Sequence, residues 1–186
     1  IRMSKSEISK TLSLLFPAGS VLELRALRKS GGMASGYYTD IDKLAHDAQA
    51  LDFTNEYAGI YVILNKINPV LFSRRANRIE MRLSKEDKAT CDEDILHRWW
   101  FPIDVDPTRP SGISSSDEEH TLALCKAEKI REFLSGMGWP EPVSADSGNG
   151  AHLLYRIDLP TDPDSALLIR QGLNVLSAFF SDEFSS

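Results

Sequence analysis

Trp99-Trp100-Phe101-Pro102-Ile103-Asp104-Val105-Asp106-Pro107 is an apolar, aromatic run that ends in two carboxylates. Its composition, and the stop at Pro107 ahead of Arg109-Pro110-Ser111-Gly112, predict a strand that leaves the core into a loop. Alternation along that strand puts Asp104 and Asp106 on one face and anchors Ile103 and Val105 through the other. The elements C-terminal to this strand set the architecture. Ser116 with Glu119 three residues on is a capping-box signature, and it opens a helix carrying Leu122, Leu124, Ile130 and Leu134 that ends near Gly136 or Gly138. Val143 to Ala145 and Ala151 to Ile157 then read as strands on either side of the tight loop Ser147-Gly148-Asn149-Gly150. Asp162 with Pro163 starts a last helix, with Leu167, Leu168, Val175, Leu176 and Phe179 as its apolar side. If the strands bearing Asp104 and His152 pair, those two residues come within reach of each other.

The first half mixes helix and strand as well. Residues 20–27 alternate apolar and polar side chains as a half-buried strand does, with Glu23 and Arg25 on one face. Gly31-Gly32 breaks the chain, and Gly36-Tyr37-Tyr38 forms a short strand. Thr39 or Asp40 caps a helix to about Leu51, buried through Leu44, Ala48 and Leu51. Tyr57 to Leu64 reads as a buried strand ending at Asn65. No repeat or low-complexity tract interrupts the chain, so the expectation is one compact α+β catalytic unit.

With 186 residues and 42% hydrophobic content, the chain is able to bury a core. No apolar stretch approaches the length of a membrane span, and no leader sequence opens the chain, which predicts a cytoplasmic protein with no membrane partner. Ile1-Arg2 ahead of Met3 reads as a vector scar, or else the chain begins inside a longer protein. Cys91 and Cys125 fit no metal-binding spacing. A net charge of −6 argues against broad, charge-driven binding to nucleic acid. The locally basic segment is Phe72 to Lys88, with Arg74, Arg75, Arg78, Arg82, Lys85 and Lys88. By itself it reads as a solvated helix face.

Two constellations carry chemistry. Aligned carboxylates repel unless a cation joins them, and Mg²⁺ and Mn²⁺ favour carboxylate oxygens while taking substrate phosphates into their shells, so Asp104 and Asp106 suit phosphoryl or nucleotidyl transfer. In Ser147-Gly148-Asn149-Gly150-Ala151-His152, the glycines permit a tight loop whose N–H groups converge on an anion, and His152 can donate to a phosphate. Taken singly, each has a plainer reading: solvated acids at a turn, a structural histidine, a simple Gly-Asn-Gly turn. Together, one strand apart, they point to a nucleotide site.

With these residues in view, the chain resembles the archaeo-eukaryotic primase superfamily, especially the primase-polymerase domains of phages and plasmids. The resemblance rests on an ordered set of segments running from about Pro17 to the end. They are Val21 to Leu27, Gly36-Tyr37-Tyr38-Thr39-Asp40, Tyr61-Val62-Ile63-Leu64-Asn65, Ile103 to Gly112 and Ser147 to Tyr155. It implies an N-terminal α/β module, approximately residues 17–98, packed on a module similar to an RNA-recognition motif, residues 99–186, with the active site in the cleft. It further implies that Asp104 and Asp106 coordinate Mg²⁺ or Mn²⁺ and that His152 binds the triphosphate of the incoming nucleotide. Ser147, Gly148 and Asn149 would position it, and Arg74, Arg75 and Arg78 become template contacts. The family completes its metal site with a third acid on a strand after the last helix. Asp182 and Glu183 match the helix end instead, so the expectation is a chain cut before that strand, inactive alone or weak in metal binding.

The activity implied is template-dependent primer synthesis or extension by a DNA primase-polymerase, in a bacterial or phage-infected cell. Its partners would be nucleoside triphosphates, a single-stranded DNA template and a helicase domain or protein. Two alternatives stand beside it: a D-x-D nucleotide-sugar transferase, and a non-catalytic nucleotide- or nucleic-acid-binding module.

Overall fold

The computed structural model describes residues 4–84, 86–108 and 114–181. The expected turn at Arg109 to Gly112, Lys85, Asp182, Glu183 and Ile1-Arg2 therefore lie outside the described residues. Among the described residues the chain is a mixed α+β protein with four α-helices and two antiparallel sheets, and it divides between His97 and Arg98 into two compact units. None of its helices, among the described residues, is long and apolar enough to cross a membrane.

The first unit begins with α1 (Lys5–Leu15), β1 (Leu22–Arg28), β2 (Met33–Tyr38), α2 (Ile41–Thr54) and β3 (Tyr57–Val62). Three short pieces come next: β4 (Lys66–Ile67), a 3-10 helix at Pro69–Arg74, and β5 (Arg78–Glu80). Its sheet runs β3-β1-β2-β5. Leu22, Leu24 and Ala26 point to one side of β1 and are buried, as are Leu44, Ala45, Ala48 and Leu51 of α2. Asp40 caps α2 by accepting from the Lys43 amide at 2.9 Å. Helix α1 has its own capping box, Ser4 with Glu7, a signal the sequence reading passed over.

On the other face of β1 lies a buried polar network. The Glu23 carboxylate accepts from Ser35 Oγ at 2.6 Å, from Arg25 Nε at 2.9 Å and from the Thr90 amide at 3.2 Å. Arg75 stacks over the Tyr37 ring at 5.0 Å and donates to the Lys88 carbonyl oxygen at 3.1 Å and to Ser35 Oγ at 3.3 Å. Buried charge is tolerated only when paired and hydrogen-bonded in this way. The basic segment is thus not a helix face: it passes from a 3-10 turn into β5, and Arg75 is part of the packing.

The second unit holds most of β6 (Ile95–Val105), with α3 (Asp117–Gly136), β7 (Val143–Asp146), β8 (Ala151–Pro160) and α4 (Pro163–Phe180). The start of β6 pairs with β4, Lys66 opposite His97 and Ile67 opposite Ile95, and the full sheet order is β4-β6-β8-β7. Phe101, Ile103 and Val105 of β6 and Ala151, Leu153 and Tyr155 of β8 share one core with the helices. Trp139 closes it, its ring centroid 5.5 Å from that of Phe101 and 5.3 Å, edge-on, from that of Tyr155.

Both helices bury only part of the apolar residues named from the sequence. In α3 the inward set is Ala123, Ala127, Ile130 and Leu134, while Leu122 and Leu124 are exposed. Residues two apart point to well-separated sides of a helix, and both of these leucines lie off the face that packs on the sheet. In α4 the inward set is Ser165, Ile169, Leu173, Leu176 and Phe180, leaving Leu167, Leu168, Val175 and Phe179 exposed. Apolar residues occupy more than one side of α4, and the sheet selects which side turns inward.

Candidate nucleotide and metal site

The residues singled out at the strand end and the loop come together in the second unit. In β6, Ile103 and Val105 turn into the core at 5% and 2% exposure, so alternation turns Asp104 the opposite way. In β8, Ala151 and Leu153 turn inward, so His152 shares the outer face. Since β6 and β8 are neighbours, the two side chains meet: His152 Nε2 lies 3.1 Å from Asp104 Oδ1. Both remain open to solvent, with side-chain exposures of 44% and 64%.

Asp106, the residue after the end of β6, lies against Gly150 of the loop. A Cβ added at Gly150 would collide with the Val105 carbonyl oxygen and come within 2.7 Å of Asp106 Oδ1. Glycine is therefore required where the loop crosses the end of β6, because no side chain fits between loop and carboxylate. β7 and β8 form a hairpin in register, with Ala145 opposite His152 and Asp146 opposite Ala151. The four-residue loop between them is Ser147 to Gly150.

The loop differs from the expected anion cradle in how its N–H groups are used. The Ser147 amide donates to the Gly150 carbonyl oxygen at 3.0 Å, and the Gly148 amide to Asp146 Oδ1 at 2.7 Å. The Asn149 and Gly150 amides donate to Ser147 Oγ at 3.3 and 2.9 Å. All four donors are satisfied within the turn. The reason is local chemistry: Asp and Ser side chains fold back onto amides two and three residues ahead, a geometry that competes with any external anion. What the turn offers is rigidity, and His152 just beyond it is open to solvent beside Asp104.

Two residues that the sequence reading left aside hold the loop from the helix side. Asp146 alternates with Ala145, so its carboxylate lies on the opposite face from His152, where His120 of α3 reaches it, Nε2 to Oδ1 at 2.8 Å. The Gly148 amide first, and His120 second, hold the Asp146 carboxyl below the usual aspartate range. The Ser115 amide, just before α3, donates to Asn149 Oδ1 at 3.1 Å. An acid followed by Ser-Gly is a recognisable turn signal, but only the fold brings His120 to it.

Arg74, Arg75 and Arg78 belong to the first unit. Arg75 is 4% exposed, so its guanidinium is engaged in packing and is not presented to a template. Arg74 and Arg78 are exposed. A cavity of about 350 Å³ is also in the first unit, lined largely by apolar residues such as Leu24, Leu44, Leu51 and Ile60. None of the singled-out polar residues lines it. A smaller one of about 190 Å³ in the second unit includes Asp104 among its lining.

Among the described residues, no group of three or more His, Cys, Asp and Glu side chains converges to hold a metal ion. Asp104 and Asp106 are nonetheless a pair of oxygen donors at a strand end, and Mg²⁺ sites built on one or two carboxylates take their other ligands from water and substrate phosphates. The donor set fits a hard divalent cation of that kind. Compared with known proteins, the chain matches no family model, no protein of curated function and no solved structure.

Proposed function

We propose that the chain is the catalytic core of a metal-dependent nucleotidyltransferase of the primase-polymerase kind, similar to the archaeo-eukaryotic primases. Such an enzyme transfers nucleotides from nucleoside triphosphates to a 3′-hydroxyl on a single-stranded DNA template. The observation that carries this reading is the juxtaposition of His152 with Asp104 across neighbouring strands, beside a loop that admits only glycine against Asp106. The order of elements in the second unit, β6-α3-β7-β8-α4, also agrees with the first five elements of a split β-α-β-β-α-β arrangement, to which RNA-recognition-motif-like modules belong.

In this reading Asp104 and Asp106 hold Mg²⁺ or Mn²⁺, which when bound would acidify the attacking hydroxyl and offset charge on the departing pyrophosphate. The chain's own residues bind and orient. His152 presents an imidazole at the solvent-open end of β8, where it donates to a triphosphate oxygen. The self-satisfied turn fixes the start of β8, and with it the direction of that imidazole. A non-catalytic nucleotide-binding module is the second reading, favoured by the lack of a third acid beside Asp104 and Asp106 among the described residues.

The test is primer synthesis and extension on single-stranded DNA with Mg²⁺ or Mn²⁺ and labelled nucleotides, alongside direct nucleotide binding. Product that depends on metal and template supports the polymerase. Nucleotide binding without product, in this chain and in a longer form of the protein, supports the binding module.

A further inference from the structure

The sheet face that carries Asp104 and His152 continues along β8 to Arg156, because side chains at every second position of a strand share a face. Arg156 is exposed, and its guanidinium carbon lies 4.9 Å from the ring centroid of Trp99 and 5.2 Å from that of Trp100. Indole faces attract the cation and fix its plane while leaving its N–H edges free. The chain's other arginines are often neutralised: Arg25 is paired with Glu23, Arg28 with Glu56, and Arg131 with Glu128 and Glu141. Arg156 has no hydrogen bond or carboxylate partner among the described residues. In a chain of net charge −6, an exposed guanidinium braced by two tryptophans and left without an acid is prepared for an anion from outside.

Arg156 lies four positions along extended strand from His152, roughly 13 Å at the usual rise. A phosphate held by His152 does not reach that far, whereas a polynucleotide carries further phosphates along its length. We propose that Arg156, oriented by Trp99 and Trp100, binds the phosphodiester backbone of a single nucleic-acid strand running along this face away from the Asp104–His152 site. The proposal rests on the nucleotidyl-transfer reading. A planar guanidinium suits the task because it grips a phosphate through two N–H groups.

The test is fluorescence anisotropy of a labelled deoxythymidine oligonucleotide over a range of salt, without metal or nucleotide, for the wild type, Arg156→Ala and Arg156→Lys. Binding of a fluorescent nucleoside triphosphate and thermal unfolding are followed in parallel. Arg156→Ala is expected to weaken oligonucleotide binding about fivefold and to lower the slope of log affinity against log salt by about 0.7, the loss of one single-strand phosphate contact. Triphosphate binding should not change, and Arg156→Lys should keep the slope while losing part of the affinity. Unchanged oligonucleotide affinity in a folded Arg156→Ala protein overturns the contact while leaving the nucleotidyl-transfer reading intact. A fall in triphosphate affinity alone would instead assign Arg156 to the nucleotide. A wild type that binds neither ligand would remove the reading on which the proposal rests.

Discussion

His152 Nε2 and Asp104 Oδ1 stand 3.1 Å apart although 48 positions separate them in the chain, because β8 lies beside β6 and alternation turns both side chains outward. The pair is open to solvent, so its residues add little to packing. Asp104→Ala and Asp106→Ala are each expected to abolish metal-dependent synthesis while changing stability by less than about 1 kcal/mol. Activity assays and thermal unfolding check this; wild-type synthesis in either variant would remove that carboxylate from the site.

His152→Ala is expected to raise KM for the nucleoside triphosphate by about tenfold, with a smaller fall in kcat, if the imidazole grips ground and transition states alike. Steady-state kinetics with varied nucleotide would show it. Unchanged KM would mean that the imidazole meets no phosphate.

Gly150 and Gly148 should respond differently to alanine. At Gly150 the new methyl meets the Val105 carbonyl and the Asp106 carboxylate, so the loop must shift at a cost of about 1–3 kcal/mol, and activity should fall with it. At Gly148, where φ is +80° and the space is open, the cost is backbone strain of about 1 kcal/mol. Equal effects of the two substitutions on activity would argue that the loop's closeness to Asp106 is irrelevant.

The Asp146 carboxyl titrates below the ordinary aspartate range, held there by the Gly148 amide and then by His120. A depressed native pKa means that this anchoring is complete above the pKa of about 3.9 of a free aspartate and is lost as the pH falls through the lower native value. Carboxyl NMR titration should give a midpoint under about 3.9, with the amides of residues 147–150 shifting in step. Asp146→Asn should abolish that shared transition. A normal midpoint and unresponsive loop amides would show that Asp146 does not hold the turn.

Much of the local structure was legible. Ser116 with Glu119 opens α3, Asp162 with Pro163 opens α4, and Ser147 to Gly150 turns the β7–β8 hairpin, because capping and turn chemistry involve neighbours within a few residues. The short pieces β4 and β5 were not legible, since two or three residues show no periodicity and are strands only because Lys66 and Ile67 find β6, and Ser35 and Gly36 find Arg78–Glu80.

Sequence by itself determined that Asp104 alternates with Ile103 and Val105 at a strand end and that a glycine-flanked turn precedes His152, because alternation and turn propensity are properties of the local chain. Tertiary structure alone decided that β6 and β8 are neighbours and that His120 reaches Asp146. It also decided that Arg75 is buried against Tyr37 while Arg156 is exposed over two indoles, and which apolar side of α4 faces inward. An arginine, or a leucine on a helix with apolar residues all round, has no preferred environment of its own. Its partners come from distant parts of the chain, and only packing a whole sheet against its helices selects them.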